Sequence, residues 1–350
     1  MAAKKMRKKK LSPMELSEFC RQIASMTGAG ITLSGALKIL EEGTDNKRFA
    51  GICRELQEKM RQGSPASAAM ESAGIFPELM VNMFRAGEAS GKVKEVSAKL
   101  AKHYQREHRM NSRIRSALLY PEILAVTAVA AVLMIFLIVV PAVEPLFEKM
   151  ELPLLTRILM AFSRFIREKW YFAILIALSP SLLWNALMRN GKARFLWDKI
   201  KLHLPVIGKQ LRIIYTFRFA GSQSSLYSGG LPMLESLRIA GTTLGNRYLE
   251  SQFLEVARKV QNGEMLSSAI KTADGLDRKL APVILVGEET GKLDEMLENI
   301  ADSYEYDSDI ALTKLISLIE PAMILVMGAI IGLILLGIML PLWNMYGYIE

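Results

Sequence analysis

The sequence repeats itself at a fixed shift of 200 residues, and this repeat restricts the possible fold more than any other feature. The stretch GEASGKV at 87–93 recurs as GEETGKL at 287–293. At the same shift, glycines 30 and 63 align with glycines, and prolines 121 and 141 align with prolines. Further identical pairs are Leu37 with Leu237, Ile39 with Ile239, Ala69 with Ala269, Ala73 with Ala273, Glu95 with Glu295 and Tyr104 with Tyr304. Because the register does not slip across this distance, we predict two copies of one structural unit, roughly at 14–141 and 214–341.

Three apolar segments are long enough to cross a lipid bilayer, which takes about 20 residues in a helix. Residues 117–143 carry a single charge, at Glu122, and residues 321–343 carry none. The uncharged middle segment, 170–188, is shorter and contains Pro180 and Asn185, so a buried helix of a soluble domain is its alternative interpretation. We predict transmembrane helices at 117–143, 170–188 and 317–343.

Lysine and arginine predict the orientation of the chain in the membrane. Residues 1–116 contain 22 of them, residues 189–320 contain 17 and residues 344–350 contain none. Since basic segments beside a span stay in the cytoplasm, we predict a cytoplasmic N-terminus with a basic tail at 1–13. Cytoplasmic helical bundles are predicted at 14–116 and 189–316, an external loop at 144–169 and an external tail at 344–350. No apolar segment follows MAAKKMRKKK, so it is no cleavable signal peptide; it is either solvated or held at anionic lipid.

The cytoplasmic segments are predicted to be all-helical. In the first copy, glycine, proline and capping residues divide the chain into helices near 13–28, 34–42, 46–62, from 65, near 77–87 and from 92 onward. Ser64 is the expected N-cap of the fourth helix, with Pro65 at its first position. In the sixth, Val96, Leu100 and Tyr104 have helical spacing. The predicted fold class is therefore an all-α membrane protein with two repeated six-helix cytoplasmic bundles and three transmembrane helices.

The repeated GE..GK stretch is not a phosphate-binding loop. That loop has four residues between its glycines and a hydroxyl after its lysine. Here the glycines are one residue closer, and Val93 and Leu293 occupy the hydroxyl position.

The stretch is instead interpreted as a corner between two helices. Its glycines permit a left-handed backbone or a close helix approach, and its glutamate is expected near the N-terminus of the last helix. The alternative, compatible with the first, is a recognition corner for a cytoplasmic partner. The residues concerned are Gly87, Glu88, Gly91, Gly287, Glu288 and Gly291.

A second group of candidate residues lies where the apolar segments begin, and it comprises Pro121, Glu122, Glu320 and Pro321. An ionisable residue in a membrane segment suggests function, although a carboxylate at a helix start also compensates the helix dipole. Each proline is expected to bend the chain between bundle and span.

Other chemistry-bearing residues give no site. Glu298, Asp302 and Glu305 follow one helix face, which predicts an acidic surface for a basic partner, with a bridging Ca²⁺ as the alternative. Cys20 and Cys53 form no C-x-x-C motif, and the three histidines have no metal-ligand spacing. We therefore predict no cofactor, no metal and no enzymatic activity, and we assign the net charge of +9 to membrane rather than nucleic-acid contacts.

Several motifs together resemble a known family. They are FCRQIA at 19–24, GAGI at 28–31, FP at 76–77, GEASG at 87–91, YP at 120–121, LPLLTR at 152–157 and EP at 320–321. In order and spacing, the chain after residue 12 is similar to the inner-membrane platform proteins of type II secretion and type IV pilus machines, the GspF/PilC-like family.

This resemblance implies a multi-pass protein of the bacterial inner membrane that couples a cytoplasmic hexameric assembly ATPase to pilin or pseudopilin extraction and fibre assembly. Its implied partners also include other inner-membrane machine components and further copies of itself, as a dimer or trimer. If the corner recognises the ATPase, charge reversal at Glu88 or Glu288 abolishes co-purification without unfolding. The alternative function is a transporter or channel subunit with duplicated domains, which would place broken helices and polar groups near the membrane midplane.

Overall fold

The computed structural model describes residues 10–147 and 152–346, and within them the regular secondary structure is helical. Residues 1–9, 148–151 and 347–350 lie outside the described part. The predicted basic tail, external loop and external tail therefore fall partly outside it.

The first copy contains helices that begin and end close to the predicted positions. They are α1 (Pro13–Gly28), α2 (Leu33–Glu42), α3 (Lys47–Arg61), α4 (Ala66–Ala73), α5 (Glu78–Ser90) and α6 (Val93–Met134). The predicted cap of α4 was wrong, because Pro65 rather than Ser64 occupies the N-cap position and makes no side-chain capping bond.

A connecting segment separates the two copies. Copy 1 ends in a π-helical turn (Ile135–Val139) and α7 (Val140–Val143), and the connecting segment begins with a short 3₁₀ turn (Glu144–Phe147). Helices α8 (Leu154–Glu168), α9 (Trp170–Arg189) and α10 (Gly191–His203) follow. The segment predicted as an external loop thus contains a helix of 15 residues, α8.

The second copy reproduces the helices of the first at the shift of 200. They are α11 (Ile207–Ser228), α12 (Met233–Thr243), α13 (Arg247–Gln261), α14 (Leu266–Ile270), α15 (Leu280–Thr290), α16 (Leu293–Ser317) and α17 (Ile319–Tyr346). Helices α3 and α13 correspond residue for residue. Three glycine pairs of the repeat, at 30, 63 and 91 and their counterparts, all have positive φ.

The chain divides into two compact units. The first joins Met1–Arg113 with Phe195–Leu312 and contains the helical bundles of both copies. The second joins Ile114–Arg194 with Thr313–Glu350 and contains the apolar helices.

The core of the first unit is built from the same positions in both copies. Buried apolar side chains of α1 to α6 recur 200 residues later, and each contributes about 1.5–3 kcal/mol when fully buried. Six such pairs are Phe19 with Phe219, Leu37 with Leu237, Leu56 with Val256, Met70 with Ile270, Phe84 with Ile284 and Leu100 with Ile300. The repeat in the sequence is therefore a repeat of the core.

In the second unit, α8 packs against the end of the first apolar helix and against α17. Met160 and Ile166 of α8 form a buried cluster with Phe136, Val140 and Ile334. Outside this cluster the apolar helices expose large side chains such as Val126 and Leu325. A surface of this kind is typical of contact with lipid or a protein partner.

Helix α8 also supplies a hydroxyl to a carbonyl oxygen that Pro341 leaves without its donor. A proline in a helix has no N–H for the carbonyl four residues earlier, which here belongs to Gly337. Thr156 Oγ1 of α8 donates to this oxygen at 2.6 Å, and Thr156 is buried. In an apolar environment such an oxygen is costly to leave unpaired.

The counterpart proline, Pro141, is accommodated in a similar way. In the π-helical turn, Val140 N donates to the carbonyl of Ile135, five residues earlier. Pro141 cannot continue this pattern to the carbonyl of Phe136, and Ser163 Oγ of α8 donates to that oxygen at 2.7 Å. Thus α8 stabilises both apolar helices at their repeat prolines.

Within 10–147 and 152–346, two helical stretches, Val93–Val143 and Leu293–Pro341, are long and apolar enough to cross a membrane by length and composition. Only 11% of either apolar window is buried, which disfavours the core helix of a soluble protein. Helix α9 covers the middle predicted span, 170–188, but several of its side chains lie outside the described part. Its membrane crossing stays a prediction.

Candidate functional site

Both GE..GK stretches lie where the fifth helix of a copy ends and the sixth begins. In the first copy, α5 ends at Ser90 and α6 begins at Val93. In the second copy, α15 ends at Thr290 and α16 begins at Leu293. The structure thus brings the candidate residues together as one corner in each copy.

The second glycine of each corner ends its helix in a left-handed conformation. Gly91 has φ +71° and Gly291 has φ +68°. Behind Gly91, the N–H of Lys92 donates to the carbonyl of Gly87 at 2.8 Å, and the N–H of Gly91 donates to the carbonyl of Glu88 at 3.4 Å. This pair of bonds is the Schellman motif. A side chain at either glycine would be strained.

The first glycine of each corner allows the fifth and sixth helices to approach closely. A Cβ atom on Gly87 would lie 3.0 Å from Val96 Cγ2, and one on Gly287 would lie 3.0 Å from Leu293 Cα. The predicted close approach is therefore present in both copies.

The glutamate of each corner binds the N-terminus of the fourth helix. Glu88 Oε1 accepts from Ala66 N at 2.6 Å, and Oε2 accepts from Ser67 N at 3.0 Å. In the second copy, Glu288 accepts from Leu266 N at 2.6 Å and from Ser267 N at 3.0 Å. The expected position near the last helix was wrong, because the side chain turns back to the exposed N–H groups of α4 and α14.

This contact explains how α4 and α14 begin without a capping side chain of their own. Their N-cap residues are Pro65 and Met265, neither of which makes a side-chain capping bond. The negative carboxylate satisfies N–H groups and interacts favourably with the helix dipole. Charge reversal at Glu88 or Glu288 would therefore also remove a structural cap.

Sequence reasoning missed Ser67, whose hydroxyl donates to Glu88 Oε2 at 2.5 Å. The repeat could have identified this residue, because Ser67 and Ser267 are identical at the shift of 200. In the second copy, the buried Ser267 hydroxyl has no hydrogen-bond partner among the described residues. The two corners therefore share their backbone contacts but not this side-chain bond.

The membrane-entry residues are arranged differently in the two copies. Pro121 lies inside the continuous helix α6, whereas α16 ends at Ser317 and α17 begins at Ile319, just before Pro321. Pro321 lacks the N–H that would bond to the Ser317 carbonyl, so this break has a direct cause. The predicted interruption therefore occurs in the second copy, while α6 stays helical through Pro121.

The two glutamates at these entries are exposed. Glu122 follows Pro121 inside α6, and Glu320 precedes Pro321 at the start of α17. Within the described part of the chain neither carboxylate has an assigned hydrogen bond or ion pair. Both are open to a partner or to lipid headgroups.

The acidic face of α16 meets basic side chains of α6 in the same chain. Lys102 Nζ lies 2.9 Å from Glu298 Oε1, and Arg106 contacts both Asp302 and, at 3.0 Å, Glu305. Further pairs join Arg109 with Glu305 and Arg113 with Asp309. The main partners are 196 residues apart, so the two helices run parallel.

This row, here called the ionic ladder (Lys102, Arg106, Arg109 and Arg113 with Glu298, Asp302, Glu305 and Asp309), gives the acidic face its basic partner. The hydrogen bond that Lys102 donates to Glu298 holds the pKa of Glu298 below its usual range. No group of three or more His, Cys, Asp or Glu side chains within 10–147 and 152–346 is placed to hold a metal ion.

The two cysteines are buried and chemically quiet. Burial raises the pKa of Cys53 to about 12, and burial raises the pKa of Cys20 as well. Since the thiolate is the reactive form, neither is suited to catalysis or metal binding.

Comparisons with known proteins match this architecture. The family model for type II secretion system (T2SS), protein F matches residues 19–141 and again residues 219–341, at the same shift of 200. The chain is 35% identical over 340 residues to the type IV pilus assembly protein PilC of Thermus thermophilus, covering 96% of this chain and 84% of that protein.

Other relatives come from both kinds of machine. PilC of Myxococcus xanthus is 32% identical, with 95% of this chain and 80% of that protein covered. The type II secretion system protein F of Aeromonas hydrophila is 28% identical, with 97% and 88% covered. With two family matches in tandem and relatives that align along almost its whole length, the chain belongs to the family of type II secretion system protein F.

Proposed function

We propose that this chain is the inner-membrane platform protein of a type IV pilus or type II secretion machine. The observation that carries the proposal is the double family match, together with relatives whose names place them in both kinds of machine. The role is structural rather than enzymatic. The platform couples a cytoplasmic hexameric assembly ATPase to the extraction of pilin or pseudopilin subunits and to fibre assembly.

The proposed topology keeps the sequence-based boundaries. Two six-helix bundles, at 14–116 and 189–316, lie in the cytoplasm with the N-terminus. Spans at 117–143, 170–188 and 317–343 cross the bacterial inner membrane, and 144–169 and 344–350 lie outside. The 22 and 17 basic residues of the two cytoplasmic regions support this orientation.

The internal contacts suggest how such a platform transmits force. The ionic ladder and the packing of both copies in one compact unit allow the bundles to move together. Helix α6 then continues without interruption into the first apolar stretch. A displacement of the bundles by an ATPase would therefore reach the membrane segment, where a pilin helix and other machine components are proposed to bind near Glu122 and Glu320.

The corners are proposed to position an exposed tip for the ATPase. Gly87, Glu88 and Gly91 and their counterparts Gly287, Glu288 and Gly291 hold three helices together in each copy. The lysine that follows, Lys92 or Lys292, is exposed and joins the corner through its backbone N–H and carbonyl groups. The Lys292 side chain also forms an exposed ion pair with Glu295 at 3.6 Å, and neither lysine side chain contacts the glutamate of the corner. Its charge can thus be changed without disturbing the glutamate cap.

This separation gives a direct test of the corner. Lys92→Glu and Lys292→Glu together should abolish co-purification of the ATPase and fibre assembly while the melting temperature stays unchanged. Lys47→Glu, at an exposed lysine at the start of α3, is the matched control and should retain both. Normal co-purification and fibres in the double variant would restrict the corner to a structural role.

The platform function itself is tested by complementation. Deletion of the gene in its own bacterium should abolish fibres or secretion, and the full chain should restore them. If the deletion strain assembles fibres and secretes normally, the proposed function is wrong.

A further inference from the structure

The two copies share one core but differ in what covers their outer faces. On the first and second helices of copy 1, Met14 is 52% exposed and Ile39 is 48% exposed. Their counterparts in copy 2, Ile214 and Ile239, are 5% and 4% exposed. The same apolar face is thus open on α1 and α2 and closed on α11 and α12.

Copy 1 packs on the first helix of copy 2 through α5 and α6. Lys99 Nζ of α6 donates to the carbonyl oxygen of Ser228 at 2.5 Å. The His103 ring is hydrogen-bonded to the backbone of Gly221. Met83 of α5 lies beside Gly229. The contact is directional, because the fifth and sixth helices of one copy cover the first and second helices of the next.

In the described part of the chain, copy 2 leaves part of its own fifth and sixth helices exposed. Tyr306 of α16 is 70% exposed and Ile310 is 37% exposed, whereas Met110, the counterpart of Ile310, is 4% exposed. Val286 of α15 is also exposed. We call this surface the α15/α16 face (Val286, Tyr306 and Ile310).

The open surface on copy 1 is a groove of about 570 Å³ between α1, α2 and the start of α3. We call it the α1/α2 groove; its lining includes Met14, Glu18, Gln22, Ile39 and Phe49. Glu18 and Gln22 correspond to Arg218 and Ser222, which line the cleft between the two copies. The groove is therefore the vacant equivalent of an interface that the chain already makes once.

At two positions of this interface, an acidic residue in one copy corresponds to a basic residue in the other copy. Within the chain, Glu78 of copy 1 and Arg218 of copy 2 line the same cleft. Their counterparts are Arg278 on copy 2 and Glu18 on copy 1. A repeat of the contact between chains would again bring an acidic and a basic residue into one cleft, with their sides reversed.

We propose that the α15/α16 face of one chain docks into the α1/α2 groove of a second copy of the same chain. The contact repeats between chains the one that joins the two copies within a chain. It gives this chain an interface with copies of itself and rests on the proposed function only for its biological setting. Because the interface is head-to-tail, its repetition closes a ring or extends a chain.

Charge reversal tests the pairing on the purified full-length chain in detergent, with sedimentation velocity as the readout. Glu18→Arg or Arg278→Glu alone should weaken self-association by about tenfold or more. The double variant should associate nearly as tightly as the unaltered chain. A mixture of the two single variants should also associate more tightly than either alone.

Apolar substitutions give a second, independent arm. Ile39→Asp should weaken self-association, whereas Leu254→Asp, at an exposed apolar residue outside both faces, should not. Far-UV circular dichroism checks that each variant is folded. An unaltered chain that stays monomeric, or single reversals that leave association unchanged, would overturn the proposal.

The test of this interface and the test of the proposed function can fail independently. Self-association is measured without ATPase or pilin, whereas the platform role is measured by complementation in cells. If the chain complements the deletion but the charge reversals leave its self-association unchanged, the proposed function stands and the proposed interface is wrong.

Discussion

Replacing Glu288 with alanine should destabilise the protein by removing the cap of α14. The carboxylate accepts two backbone N–H groups, at 2.6 and 3.0 Å, and is half-buried. Losing a helix N-cap costs about 0.5–2 kcal/mol, and a hydrogen bond to a charged group contributes about 1.5–3 kcal/mol. Because the N–H groups regain some solvent contact, we expect a loss of about 2 kcal/mol. In a unit of this size that lowers the melting temperature by about 4–8 °C.

The neighbouring Glu289 provides the matched control, since it is exposed and one residue away. Thermal scans of the purified full-length protein at one scan rate should show Glu289→Ala close to the unaltered chain and Glu288→Ala well below it. Glu288→Gln should also be damaging, because one amide nitrogen would face a backbone N–H. Equal melting temperatures for Glu288→Ala and Glu289→Ala would refute the capping role.

Three further predictions concern other contacts. Thr156→Val leaves a buried carbonyl oxygen of α17 without its donor and should lower the free energy of unfolding by about 1–3 kcal/mol in denaturant titration. Arg106→Glu should lower the melting temperature, and adding Asp302→Arg should recover part of the loss; no recovery would mean that the ionic ladder contributes little. Burial lowers the pKa of His103 to about 4, so the unfolded chain takes up this proton first as the pH falls below about 6.5. Stability should therefore fall from pH 6.5 towards pH 4, and His103→Gln should reduce that fall.

Much of each bundle could be predicted because local signals mark its boundaries. Glycines with positive φ at 30, 63 and 91 end segments that the hydrophobic spacing identifies as helices. The 200-residue shift then transfers these boundaries to the second copy. The family match at 19–141 and 219–341 confirms the two copies of the repeat.

The partners of individual side chains could not be predicted, since they depend on tertiary packing. Glu88 lies in the last turn of α5 but binds the start of α4, 21 to 22 residues earlier. The ionic ladder joins residues 196 apart, and nothing in the sequence pairs Lys102, Arg106 and Arg109 of α6 with the acidic face of α16. A single acidic face in a sequence does not identify its partner.

The connecting segment was the least predictable part. Helix α8 lies in 144–169, which the sequence predicts as an external loop because this segment falls between two predicted spans. In the structure, its buried side packs on the apolar helices, while Arg164 and Arg167 pair with Glu144. In the sequence, the need for hydroxyl donors in α8 is indicated only by Pro141 and Pro341, because each leaves a carbonyl oxygen of an apolar helix without an N–H donor.

The central claim is that two copies of one module lie on the same side of the membrane. Arg54→Cys and Leu254→Cys test it most directly, because they are exposed, repeat-equivalent positions, and the native cysteines are buried. In intact cells a membrane-impermeant maleimide should label neither variant, and after permeabilisation it should label both. Labelling of one position and not the other in intact cells would contradict the account.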